Sequence, residues 1–182
     1  LVHEACYVME RQKIQQTEID SAVKFRLGFP MGIFELADFT GLDVIHKATV
    51  EMHVRDKKVI LPHPTIEQLF NEKRLGQKSG EGFYKYSDDK YERIPLSEEL
   101  AQKCDPIQII ANILNNAAWL VTNNASDIDE IEKAANLGLG LKKPLFDTAK
   151  EMGIKKIVEE LKKLSKKHGA FYEPDPLLLS MC

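Results

Sequence analysis

Residues 75–86 read LGQKSGEGFYKY, the combination of glycine, lysine and serine from which phosphate-cradling loops are made. The glycine spacing of a P-loop is missing ahead of Lys78, so successive backbone N–H groups are not set to converge on one phosphate. Gly80-Glu81-Gly82-Phe83-Tyr84-Lys85 and Gly138-Leu139-Gly140-Leu141-Lys142-Lys143 both begin as dinucleotide fingerprints, but each places lysine where the third glycine belongs. Neither lies between a strand and a helix, the context that aims such a turn at a pyrophosphate. The loop is therefore expected to turn the chain and pack Phe83 and Tyr84 against helices, with an anion beside Lys78 as the alternative. His3 and Cys6 stand one helical turn apart without an acid–base partner. His46 and His53 are too widely spaced for an i,i+4 metal pair. His63, between Pro62 and Pro64, reads as a loop residue, and His168 ends a lysine-rich helix where a cation suits the macrodipole. Asp88-Asp89 and Glu98-Glu99 read as solvated charge. No catalytic residue and no metal ligand is assigned.

The elements that must position these groups are helices. The chain has 182 residues, 43% of them hydrophobic, and a net charge of −3, enough for a buried core and without the basic footprint of a nucleic-acid binder. No apolar run approaches the roughly 18 residues of a membrane span. A soluble protein is expected, with no nucleic-acid or membrane partner. Three widely spaced cysteines suggest reduced thiols and a cytoplasmic location.

Sliding the sequence by 112 positions places residues 1–52 on 113–164 without a gap. The shift pairs Ala5 with Ala117, Ile19 with Ile131, Gly28 with Gly140, Phe34 with Phe146, Ala37 with Ala149 and Gly41 with Gly153. Each copy reads as four helices. Thr17 with Asp20, and Asp129 with Glu132, read as capping-box pairs opening the second helix, and Gly28 and Gly140 close it in the left-handed conformation. A short third helix carries Phe34 or Phe146 and stops at Gly41 or Gly153. The fourth is clearest at Ile154, Ile157, Val158, Leu161 and Leu164, one face of a 3.6-residue period. Pro62 and Pro64 introduce a further helix near 66–74. The segment 53–104 has no counterpart beyond a hint at the C-terminus. An all-α protein of two tandem helical domains, 1–95 and 96–182, is the expectation, related by a pseudo-two-fold.

The stretch GFPMGIFELADFTGLDVI (28–45), preceded by EID (18–20) and followed by RLGQKSGEGFYKY (74–86), resembles the C-terminal domain of the 3-hydroxyacyl-CoA dehydrogenase family. His3-Glu4-Ala5 stands in the family's first helix. Ile33 replaces the second proline of its Gly-x-Pro-Met-Gly-Pro-Phe-Glu turn, and Ser79 replaces a threonine. The resemblance implies NAD-dependent oxidation of a 3-hydroxyacyl-CoA to the 3-oxoacyl-CoA, as in fatty acid β-oxidation or 3-hydroxybutyryl-CoA metabolism. In the family an N-terminal Rossmann domain carries NAD and a catalytic His/Glu pair, while the helical domain closes over substrate and forms the dimer. This chain shows neither, so it is expected to bind no cofactor, to be inactive alone, and to need that NAD-binding domain as partner. Phe29, Pro30, Met31 and Leu36 are the implied walls of the acyl pocket, and Lys78 near a CoA phosphate is the alternative role for the opening loop. A diverged second copy implies a pseudo-dimer within one chain, with a monomer favoured over a homodimer. The other reading is a free-standing interaction scaffold derived from such an enzyme.

Overall fold

A computed structural model describes residues 1–55, 59, 61–86, 95–141 and 143–182; Asp88-Asp89 and Lys142 lie outside them. The described residues are helical, and their only β-pairings are isolated bridges joining Gly76 to Glu81 and Glu81 to Lys85. They form two compact units, one of residues 1–23 and 31–104, the other of 24–30 and 105–182.

The first unit holds α1 (Val2–Gln12), most of α2 (Gln16–Arg26), α3 (Ile33–Thr40), α4 (Leu42–Arg55), α5 (Pro64–Asn71) and α6 (Glu98–Ala101). Its core takes Ala5, Cys6 and Val8 from α1, Ile19 and Ala22 from α2, Phe34 and Ala37 from α3, and Ile66 and Leu69 from α5. The second unit holds α7 (Ile107–Thr122), α8 (Ile128–Leu139), α9 (Leu145–Met152), α10 (Ile154–His168) and α11 (Pro176–Ser180). All five apolar positions expected on the inner face of α10 are buried, and its lysines face outward. The last turn of α10 carries Lys166, Lys167 and His168 ahead of Gly169, cations beside the free carbonyls of a helix end.

The offset of 112 reappears in the element boundaries: α9 begins and ends 112 residues after α3, and α10 begins 112 after α4. Gly28 and Gly140 take φ of 74° and 65°, the left-handed conformation open to a residue without Cβ. The correspondence also runs past residue 52, where only a hint at the C-terminus was expected. Pro62 and Pro64 fall on Pro174 and Pro176, and the latter of each pair opens α5 and α11 at the first helical position. The Pro-x-Pro spacing was the sequence signal, obscured because the residues around it share no identity.

One other expectation changes. The second helices are not capped by Thr17 and Asp129. Glu18 reaches back to the Gln15 N–H at 2.7 Å, and Asp127 accepts from the Glu130 N–H at 2.8 Å. Asp20 and Glu132 instead cap the following helix: Asp20 accepts from the N–H groups of Phe34 and Glu35 at 2.9 and 3.0 Å, and Glu132 from those of Leu145 and Phe146 at 2.5 and 2.7 Å. A buried helix start needs acceptors for its first donors, and a carboxylate 14 residues upstream supplies them. His63 lies outside the helices, as its place between two prolines implies, but it is buried: at 1% exposure it is the N-cap of α5, its Nδ1 accepting from the Thr65 N–H at 3.2 Å.

Candidate functional site

The loop 75–86 is seated on two buried aspartates. Asp38 accepts from the N–H groups of Phe83 and Tyr84 and from the Tyr86 hydroxyl, each at 2.9 Å. Asp20 adds the Tyr84 hydroxyl at 2.8 Å to its two helix-capping bonds. Burial pushes the Asp20 carboxyl up to about 7 and raises Asp38 as well, against the donors gathered around them. A Cβ on Gly82 would overlap the Asp38 carboxylate, one on Gly76 the Asp38 backbone, and one on Gly32 the Asp20 side chain. The glycine spacing is thus a seat for the protein's own carboxylates. The backbone amides that a phosphate would need already hold Asp38. Ser79 Oγ accepts from the Leu75 N–H at 2.7 Å and donates within the same turn, and the Phe83 ring lies 4.4 Å from Phe34. Lys78 is paired with Asp43 at the start of α4. Gly138 and Gly140 belong to the C-terminal end of α8, where carbonyls rather than N–H groups are free. Neither glycine turn fits a dinucleotide.

Concavity lies elsewhere in the first unit. The start of α1, the outer stripe of α3 and one stripe of α4 enclose an open cavity of about 320 Å³. Ile33, Leu36, Ala37 and Thr40 recur at helical spacing on α3, as do Ile45, Ala48, Thr49 and Met52 on α4. Leu1, Val2 and His3 complete the wall. The lining is predominantly apolar, and His3 and Thr49 are its hydrogen-bonded polar members. His3 Nε2 lies 2.8 Å from Thr49 Oγ1, and its Nδ1 accepts from the His63 N–H at 3.2 Å. Burial, helped by the neighbouring imidazoles of His63 and His46, pushes the His3 imidazole down to about 4. Cys6, one turn along, is fully buried and its thiol is pushed up to about 12 by burial, which makes it a core residue rather than a nucleophile.

Of the four residues expected to line an acyl pocket, Leu36 lines this cavity. Met31 is half-buried in the same unit but outside the lining. Phe29 and Pro30 group with the second unit, where Phe29 is 5% exposed and the Pro30 ring sits against Gly140. Sequence reasoning passed over Ile33, Ile45 and Met52, although the i, i+3, i+4, i+7 spacing of 45, 48, 49 and 52 marks a shared helix face.

Residues 1–86 match the family of the 3-hydroxyacyl-CoA dehydrogenase, C-terminal domain, and so include the whole cavity and the loop seated on Asp38. Over 85 residues the chain is 41% identical to the mitochondrial hydroxyacyl-coenzyme A dehydrogenase of Rattus norvegicus, a stretch covering 46% of this chain and 27% of that protein. The match thus spans about a quarter of that relative's length. The crystal structure of 3-hydroxybutyryl-CoA dehydrogenase from Escherichia coli K12 aligns with 98% of this chain and 56% of its own, with a TM-score of 0.78 at 19% identity. The dehydrogenase part of multifunctional enzyme 1 from C. elegans aligns with 97% of this chain and 46% of its own, with a TM-score of 0.63 at 20% identity. At these identities the two structures speak for the fold alone, and each aligns with nearly the whole chain. No described helix is long and apolar enough to cross a membrane.

Proposed function

We propose that this chain is the substrate-side helical module of an NAD-dependent 3-hydroxyacyl-CoA dehydrogenase, and that the cavity between α1, α3 and α4 receives the acyl group. The observation that carries the reading is this apolar cavity lying wholly inside the 86 residues that match the family. Apolar walls with few polar groups suit a hydrocarbon chain. NAD, the hydride acceptor, and the general base would come from an N-terminal NAD-binding domain as partner, since neither glycine turn here fits the dinucleotide. Exposed Phe39, Val44 and Met52 would offer that domain an apolar rim. Met31, Phe29 and Pro30 remain candidates for the substrate side, placed by the family turn rather than by this cavity. The second unit, matching the first in element order and capping geometry, is read as a diverged copy that stands in for a partner subunit. Three free thiols, two of them buried, support a reducing compartment, read here as the cytoplasm.

Titration of the chain with acyl-CoAs of increasing length tests the reading. Each added methylene buried in the cavity is expected to tighten binding by about 0.8 kcal/mol, roughly fourfold, until the cavity is full. Replacing Leu36 by Thr is expected to flatten that dependence. With 3-hydroxybutyryl-CoA and NAD the chain alone is expected to produce no NADH. Affinities for CoA and acyl-CoA that are equal at every chain length would contradict the assignment.

A further inference from the structure

The contacts that fasten α5 to α1 in the first unit recur in the second between α11 and α7 at the same 112-residue offset, made by residues of different charge. In the first unit the N-cap of α5 is His63. Its backbone N–H donates to His3 Nδ1, its own Nδ1 accepts from the Thr65 N–H, and its Nε2 lies 3.3 Å from Glu10 Oε1. In the second the N-cap of α11 is Asp175. Its N–H donates to Asn115 Oδ1 at 2.8 Å, its Oδ1 accepts from the Leu177 N–H at 2.9 Å, and Thr122 donates to it at 2.6 Å. Positions 3, 10, 63 and 65 thus correspond to 115, 122, 175 and 177. Where the second unit uses a neutral amide, a hydroxyl donor and a carboxylate cap, the first uses an imidazole, a carboxylate and an imidazole cap. Aspartate is a preferred N-cap, whereas a histidine cap works only while its Nδ1 is unprotonated.

The protons in the first unit can be assigned. Thr49 donates its single hydroxyl hydrogen to the Ile45 carbonyl at 2.8 Å, so it accepts from His3 Nε2–H. His3 is therefore neutral, with Nδ1 as the acceptor. His63 must likewise carry its proton on Nε2. A second proton on either ring would land on an Nδ1 already accepting from a backbone N–H, setting donor against donor. At the start of α5 it would also place a cation at the positive end of the helix dipole.

We propose that His3 and His63 form an acid-sensitive latch confined to the first unit, which releases the start of α5 from α1 when either ring is protonated. The titratable side chains facing His3 are His63 and His46, both opposing a positive charge. Glu10 faces His63 and favours the charge, with Tyr7 edge-on to the ring at 4.5 Å, while His46 is paired with Glu67 at 2.5 Å. Burial lowers both imidazoles, His3 to about 4, so each binds its second proton more weakly in the folded than in the unfolded chain. The latch is consequently secure above about pH 6.5 and loses stability as pH falls from there toward about 4. The second unit holds the same backbone donors with groups that never become cations.

Residue-resolved hydrogen exchange on the intact chain at pH 7 and pH 5, corrected for the intrinsic pH dependence of exchange, tests this. Opening of the amides of Thr65 to Asn71 is expected to rise roughly tenfold at pH 5, while Leu177 to Ser180 changes by less than about twofold. Installing the second unit's residues, His3→Asn and Glu10→Thr with His63→Asp, is expected to bring α5 down to the α11 level. Long-range nitrogen–proton spectra of the unaltered chain give a reading that needs no variant: both rings should be Nε2–H tautomers at pH 7. A parallel rise in both units, a rise that persists in the triple variant, or the opposite tautomer at His3 would each overturn the latch.

Discussion

Asp38 decides what the glycine–lysine loop is. A carboxylate 1% exposed and accepting from two backbone N–H groups and a tyrosine hydroxyl is expensive to leave half-satisfied, because each lost bond to a buried charged group costs about 1.5–3 kcal/mol. Asparagine offers one acceptor where aspartate offers two, so Asp38→Asn is expected to lower stability by about 2 kcal/mol or more. Lys78 is nearly half exposed, and its pair with Asp43 belongs to the class worth about 0–1 kcal/mol. Lys78→Ala should therefore change the urea midpoint little. The reverse order, with Lys78 costly and Asp38 neutral, would mean that the loop is organised around its cation. The residue types were legible in the sequence: glycines where Cβ cannot fit, and aromatics that pack. Their partners were not, since nothing local ties Asp38 to an amide 45 positions away.

At the scale of elements the sequence was most readable where one period repeats. The 3.6-residue face of α10, the left-handed glycines after α2 and α8, and the stop of α3 and α9 at Gly41 and Gly153 all follow from local rules. Capping was misread because Asp20 and Glu132 stand three residues after a plausible N-cap, where a capping box would place them. What separates a box from a cap on the next helix is the path of the chain between, and that path is tertiary. The His63 cap was missed for a related reason. A Pro-x-Pro stretch advertises an extended segment, and whether its middle residue faces water depends on α1 lying beside it. The cavity was half visible: Leu36 came from the family turn, whereas Ile45, Thr49 and Met52 needed the packing of α4 across from α3.

For the whole molecule, the offset of 112 recurs in helix boundaries, helix caps and the α5 and α11 junctions, which supports the proposal of a second, diverged copy. A homodimer on a two-fold axis presents one patch twice, so a fused second copy can satisfy that contact within one chain. Read this way, the chain is expected to remain a monomer in light scattering across a range of concentrations. A dimer that survives dilution would mean that the second unit does not act as the partner. The assignment of the acyl site to the first unit is tested most directly by an acyl-CoA carrying a photoreactive diazirine at the end of its chain, followed by peptide mapping. The account predicts adducts within residues 33–52, competed away by an unlabelled acyl-CoA but not by CoA alone. Adducts confined to the corresponding residues 145–164, or labelling that CoA alone abolishes, would contradict it.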